Sequence, residues 1–133
     1  MSAVLRVSGS FNDLSPVIKT SDHPFKESIK SRKERERSPE DYAFVTTYNL
    51  TISEADGGMV PLQIEQASKF ISEHKNLFFH LNSTSSKFNL SIDFMWEFPT
   101  STIGQFNRFD AELISLCHEH NIELEVSVYA CSD

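Results

Sequence analysis

The clearest pattern in the chain is an alternation of apolar and polar residues from Phe88 to Phe98. The apolar positions fall on one side of an extended chain: Phe88, Leu90, Ile92, Phe94, Trp96 and Phe98. The intervening positions, including Asp93, Met95 and Glu97, point the other way. A sustained period of two is typical of a strand with one buried and one solvated face.

Three other segments are predicted to be strands. Ala3–Ser8 is short and rich in β-branched residues, and Ala43–Ser53 alternates between two faces. Ile122–Ala130 alternates as well. Its inward positions are predicted to be Ile122, Leu124, Val126 and Val128, and its outward positions Glu123, Glu125 and Ser127.

Helices are predicted between these strands. Ser15-Pro16 resembles a helix start but is followed by apolar residues for only a turn or two. Pro61 to about His74 has an apolar stripe with helical spacing, as does Phe106–His120, after which Asn121 suits a left-handed C-terminal position. The Leu77–Leu81 segment fits either a helical turn or a short buried strand.

The region at about 26–41 is predicted to be a charged, mobile loop in an otherwise single domain spanning residues 1–133. Its Lys26–Arg37 part is charged almost throughout and has no sustained apolar period.

The order of these elements predicts an α/β (α+β) fold. Two long strands are polar on one face, so we expect helices on one side of the sheet only. The prediction is a two-layer sandwich with one mixed or mostly antiparallel sheet of about four strands.

Charge is distributed unevenly along the chain. The formal net charge is −7. Residues 1–37 contain more basic than acidic residues, whereas residues 38–133 contain 4 Lys/Arg against 14 Asp/Glu. An acidic body repels phosphate backbones, so we expect no nucleic-acid binding and favour a basic protein partner.

The same composition indicates where the protein acts. No apolar run approaches the ~20 residues of a membrane helix, and Met1–Ser8 does not resemble a secretory signal. Cys117 and Cys131 are too few to staple a secreted fold. We therefore expect a cytoplasmic protein without membrane binding.

The chain resembles a known bacterial family in three features. They are an N-terminal strand that runs into Ser8-Gly9, a central strand followed by a helix, and a closing helix, tight turn and alternating strand that ends in Tyr129. This combination resembles the family known as domain of unknown function 4279. The resemblance brings no catalytic residues. By analogy it implies a role as an immunity protein, because some small bacterial domains of this type are encoded beside toxins and neutralise them.

The candidate binding surface is the polar side of the two alternating strands. If these strands are neighbours, their acidic and adaptable side chains share one face: Asp93, Met95, Glu97, Glu123, Glu125 and Tyr129. Like charges that face each other destabilise a sheet, so such a cluster can indicate a binding function. The alternative is that the strands are apart and the charges serve solubility.

Cysteine and histidine residues offer a second hypothesis. Cys117 and His120 have helical i, i+3 spacing, but zinc sites need three or four convergent ligands. We therefore predict no metal and no cofactor. The alternative is a small enzyme or ligand-binding domain whose site is assembled from His74, His80, Cys117, His118 or His120.

These observations favour a non-enzymatic protein-binding domain with no catalytic residues. Its most concrete form is a bacterial immunity protein that neutralises a basic toxin through an acidic surface. A structural homo-oligomer that uses the sheet on itself is a further alternative.

Overall fold

The computed structural model describes residues 2–28, 45–84, 88–101 and 103–131. Helices and strands follow one another along this part of the chain. Their order is β1 (Ala3–Ser10), α1 (Phe11–Thr20), β2 (Lys26–Ser28), β3 (Val45–Ser53), α2 (Val60–Glu73), α3 (Lys75–Asn82), β4 (Phe88–Pro99), α4 (Ala111–Glu119) and β5 (Glu123–Cys131). The predicted α+β class is confirmed.

The strands form one mixed sheet in the order β2-β3-β1-β4-β5. β1 lies at the centre and pairs antiparallel with β3 and with β4, whereas β5 runs parallel to β4. The sheet has five strands, not about four, because β2 pairs antiparallel with β3. This strand has only three residues, Lys26–Ser28, and all are exposed, so its sequence carries no alternation to detect.

One face of the sheet forms the core together with the helices. Leu5, Ile92 and Phe94 are completely buried on this face. They belong to one apolar cluster with Leu14 of α1 and Ile64 of α2. The opposite face contains the polar residues that alternate with this core.

Two predicted helix starts are wrong. α1 begins at Phe11 and contains Pro16 in its interior, whereas the sequence predicted a helix start at Ser15-Pro16. α4 begins at Ala111, because the Asp110 carboxylate caps it by accepting a 2.8 Å hydrogen bond from the Leu113 N–H. Phe106 therefore lies before α4 and is 98% exposed.

Other predictions of local structure are confirmed. Asn121 ends α4 with a φ of 56°, in the left-handed region. The ambiguous Leu77–Leu81 segment is helical and lies within α3.

Part of the predicted charged loop can be placed. Lys26–Ser28, at the start of the 26–41 segment, form β2, and residues 29–41 lie outside the described residues. Within the described ranges, no helix is long and apolar enough to cross a membrane.

The predicted burial of β5 is only half correct. Ile122 is buried and Leu124 is half-buried, but Val126 and Val128 are 41% and 58% exposed. Both valines lie on the core side of the sheet, paired in register with Phe94 and Trp96. They are exposed because β5 is an edge strand whose second half the described helices do not cover.

Candidate functional site

The structure brings the predicted binding residues together on one face of β4 and β5. The parallel register pairs Asp93 with Glu125 and Glu97 with Tyr129. Glu123 pairs with Ser91 at one end of the same surface. We call this surface the acidic face and define it by Asp93, Met95, Glu97, Glu123, Glu125 and Tyr129. The strands are neighbours, as the hypothesis required; a binding role stays a prediction.

Asp93 is the buried member of the acidic face. Its side chain is only 4% exposed, and Arg6 Nη1 of β1 donates to its Oδ2 at 2.6 Å. The Ser127 hydroxyl lies 2.8 and 2.9 Å from the two carboxylate oxygens. A buried carboxylate needs such partners. The expectation of an exposed Asp93 is therefore wrong, and its charge is compensated.

Arg6 contacts the acidic face and was not among the predicted residues. Its guanidinium also lies 3.8 Å from Glu125 Oε2, whose side chain is 52% exposed. A single positive charge thus faces two carboxylates. No local pattern could have revealed this, because Arg6 and Asp93 are 87 positions apart and meet only through the pairing of β1 with β4.

A second carboxylate pair extends the acidic face beyond the predicted residues. Glu97 forms a hydrogen bond with Asp56, which raises the pKa of Glu97 above its ordinary value. The same bond, together with the Gly57 N–H, lowers the pKa of Asp56. The two carboxyl groups therefore favour the state in which Glu97 is protonated and Asp56 is ionised, and Asp56 adds a further acidic group to this surface.

Gly57 positions the Asp56 loop against β4. Its carbonyl accepts a 3.1 Å hydrogen bond from the Glu97 N–H. A Cβ atom on Gly57 would lie only 2.8 Å from the Met95 carbonyl oxygen and 3.0 Å from the Glu97 nitrogen. The loop approaches β4 this closely because residue 57 has no side chain.

A groove of about 670 Å³ lies beside the acidic face on the same side of the sheet. Arg6 lines one of its walls, and Lys26, Thr47 and Asn49 contribute polar groups. Asn49 Nδ2 donates a 2.6 Å hydrogen bond to the Ser28 hydroxyl. The polar side of the sheet is thus divided into an acidic half on β4 and β5 and a mixed half on β1 to β3, where Arg6 and Lys26 lie among neutral residues and Glu54 follows β3.

The residues of the alternative histidine and cysteine site are divided between two places. His74 and His80 line a pocket of about 370 Å³ between α1 and α3. Cys117 and His120 are buried at the end of α4, and His118 is exposed. Within the described residues, no group of three or more His, Cys, Asp or Glu side chains is placed to hold a metal ion.

His23 lines the same pocket and was not among the predicted residues. Its ring lies 4.6 Å from the ring of His74, measured between centroids, at nearly a right angle. Burial and the nearby His74 lower the pKa of His23, although Asp22 acts in the opposite direction. His23 follows α1 in an irregular segment, so no periodic pattern relates it to His74.

Cys117 and His120 are both buried, and their surroundings are those of packed core residues. Burial raises the pKa of the Cys117 thiol to about 11, so the reactive thiolate is scarce at neutral pH. The ring of His120 stacks at 5.5 Å on Phe78 in a tilted arrangement. The surroundings of Cys117 disfavour a role as a nucleophile.

Comparison of this chain with protein-family models, with curated proteins and with solved structures finds no match. The resemblance to the domain of unknown function 4279 family stays a prediction.

Proposed function

We propose that the protein is a non-enzymatic binding domain that holds a basic protein partner on its acidic face. The observation that carries this proposal is the parallel register of β4 and β5. It places the carboxylates of Glu97, Glu123 and Glu125 on one surface with Met95 and Tyr129 between or beside them. The exposed aromatic ring and the flexible thioether offer adaptable contact area among the charges.

Compensation of Asp93 removes one charge from the acidic face, and the other carboxylates of the face remain. Arg6 and Ser127 hold the Asp93 carboxylate in place. Glu123 is exposed and Glu97 is half-buried, so both present charge to the solvent. A carboxylate-rich surface attracts a basic partner over long range and accelerates its association at low salt.

The most concrete form of this function is a bacterial immunity protein that neutralises a basic toxin domain. The strongly negative second part of the sequence and the resemblance described above support this form. It predicts that the gene beside this one encodes a large protein with a basic C-terminal domain, which would be the first partner to test. A metabolic enzyme encoded there instead would favour the histidine pocket.

The test is association with that basic domain by surface plasmon resonance. Glu123 and Glu125 are replaced together by Lys, which reverses two exposed charges of β5. We expect association to slow by roughly 10-fold or more at low ionic strength, and the difference to shrink as salt is added.

The matched control reverses the same charge on the helical side of the molecule. Glu65 and Glu73 of α2 are both exposed, so their replacement by Lys changes the net charge by the same amount. Association should slow much less in this variant. Equal slowing in both variants would show that only the net charge matters. Unchanged kinetics in the β5 variant would show that the partner does not bind at the acidic face.

A further inference from the structure

The outer edge of β5 offers backbone groups with which no other described strand pairs. β5 is the last strand of the sheet order and spans nine residues, Glu123–Cys131. The Cys131 carbonyl accepts a hydrogen bond from the Thr100 N–H, so the odd-numbered residues of β5 direct their backbone groups toward β4. Since these directions alternate along a strand, Leu124, Val126, Val128 and Ala130 direct theirs outward. Within the described residues, no strand pairs with this edge.

The side chains of the second half of β5 do not protect this edge, whereas Glu123 and Glu125 lie in its first half. Natural edge strands are usually short or contain Lys or Pro, which discourage pairing with another chain. The opposite edge follows this rule, because β2 has three residues and contains Lys26. β5 contains neither Lys nor Pro, and its second half, from Val126 onward, has no charged residue. Val126 and Val128 are also exposed there.

We propose that a second copy of this chain pairs with β5 in antiparallel orientation, around a two-fold axis at Ser127. This register pairs the whole strand with itself. Val126 then faces Val128 of the second copy, and the exposed valines cover each other twice. Two-fold pairing of identical surfaces is the commonest way in which soluble chains associate.

The charges of β5 favour this register. Glu125 faces Tyr129 of the second copy, and Glu123 faces Cys131 at the far end. No carboxylate therefore lies opposite another carboxylate. A register shifted toward the N-terminus, centred on Glu125, would place the two Glu125 side chains opposite each other and would be destabilised by their repulsion.

This pairing goes beyond the proposed function and does not depend on it. A two-fold axis perpendicular to the sheet keeps the acidic faces of both copies on the same side. The dimer would thus present one continuous acidic surface. The two proposals are measured separately. The chain can dimerise without binding a basic partner, and it can bind a basic partner without dimerising.

Analytical ultracentrifugation over a range of protein concentrations tests the association. We expect the wild-type protein to show a monomer–dimer equilibrium. Val128→Lys places a charge on the edge and opposite Val126, and we expect it to raise the dimer dissociation constant by about tenfold or more. The matched control is Ile114→Lys on α4, since Ile114 is similarly exposed at 51%. It should leave the dissociation constant unchanged.

Disulfide crosslinking tests the register. The backbone groups of Ser127 point toward β4, so the two Ser127 residues would form a pair without mutual hydrogen bonds, with Cα atoms ~4.5 Å apart. This separation suits a disulfide. In a Cys131→Ser background, Ser127→Cys should give a crosslinked dimer on mild oxidation. Ala130→Cys should not, because the two Ala130 positions would lie about 20 Å apart.

The possible results decide the proposal. A wild-type chain that remains monomeric throughout the concentration range would overturn it. If Val128→Lys and Ile114→Lys weakened dimerisation equally, with the fold of each verified by circular dichroism, the dimer interface would not lie on β5. Crosslinking of Ala130→Cys as fast as Ser127→Cys would overturn the register.

Discussion

Arg6 Nη1 lies 2.6 Å from Asp93 Oδ2, and this contact joins the central strand β1 to β4 on the polar side of the sheet. The Asp93 side chain is 4% exposed and the Arg6 side chain 32% exposed. The carboxylate has therefore lost most of its water, and the guanidinium replaces it. The pair anchors the strand whose neighbouring residues form the acidic face.

Replacement of Arg6 by Met should lower the free energy of unfolding by about 2–3 kcal/mol. Removal of one partner of a buried pair leaves an uncompensated charge, which is strongly destabilising. This is less than the ~3–5 kcal/mol of a fully buried pair, because Arg6 is partly exposed and Ser127 continues to donate to Asp93. Urea denaturation, with the m-value checked for constancy, measures the change.

Glu125→Gln is the control for this prediction. Glu125 lies 3.8 Å from the same guanidinium, but its side chain is 52% exposed. Its replacement should change the stability by less than about 0.5 kcal/mol, since exposed ion pairs contribute little. If Arg6→Met were no more destabilising than Glu125→Gln, Asp93 would not depend on Arg6.

The two adjacent glycines of the Asp56 loop should respond to alanine in opposite ways. A Cβ on Gly57 would lie 2.8 Å from the Met95 carbonyl oxygen, and this backbone atom cannot rotate away. Gly57→Ala should therefore destabilise the protein by about 1–3 kcal/mol. A Cβ on Gly58 meets nothing within 4 Å.

Gly58→Ala serves as the matched control, one position along the chain. Neither glycine has a positive φ, so alanine fits the backbone at position 58. The variant should be neutral or more stable by up to about 1 kcal/mol, because alanine restricts the unfolded chain. Thermal melting of both variants measures the contrast, and similar losses at both positions would refute the close approach of Gly57 to β4.

The sequence predicted the polar and apolar sides of β4 because alternation along one strand is a local property. Phe94 and Trp96 are buried as the pattern indicates. The same pattern placed Asp93 on the solvated side, and this placement is correct for direction but wrong for exposure. Exposure depends on Arg6, which reaches Asp93 only through long-range strand pairing.

Burial along β5 shows the same limit. Val126 and Val128 face the core side, as alternation predicts, yet both are exposed. A pattern of residues gives the direction of a side chain but not the position of its strand within the sheet. The acidic face likewise depends on β4 and β5 being neighbours. The sequence pattern does not show which strands pair, so the parallel register is known only from the structure.

The histidine pocket should make stability depend on pH. The pKa of His23 lies below 6.5 because of burial and the nearby His74. The unfolded chain therefore binds more protons than the folded chain as the pH falls through about 6.5. The free energy of unfolding should decrease over this range and level off below the pKa of folded His23. Urea denaturation between pH 8 and pH 5 measures the slope, which His23→Gln should reduce.

The direct check is an NMR titration of the His23 ring. In His74→Gln, the neighbouring imidazole that lowers the pKa is absent, so the pKa of His23 should rise toward 6.5. A His23 pKa at or above 6.5 in the wild-type protein would contradict the packing of these two rings.

The Asp56 and Glu97 carboxyl groups should titrate on opposite sides of their ordinary values. Their hydrogen bond raises the pKa of Glu97 and lowers that of Asp56. The contribution of Glu97 to stability is present below about pH 4.5 and is lost as the pH rises through its folded pKa. The contribution of Asp56 is lost as the pH falls through its own lowered pKa, so the pair stabilises the fold most when it shares one proton.

Glu97→Gln tests this shared proton. An amide donates to the Asp56 carboxylate at every pH at which Asp56 is ionised, so the variant should keep the hydrogen bond above the raised pKa of Glu97, where the wild-type protein loses it. The stability of the variant relative to the wild type should therefore rise between pH 4 and pH 7. Carboxyl carbon NMR titration supplies the two pKa values, and in Asp56→Asn the pKa of Glu97 should return toward 4.5. A wild-type Glu97 that titrates below 4.5, or a variant with the wild-type pH profile, would show that the two carboxyl groups do not share a proton.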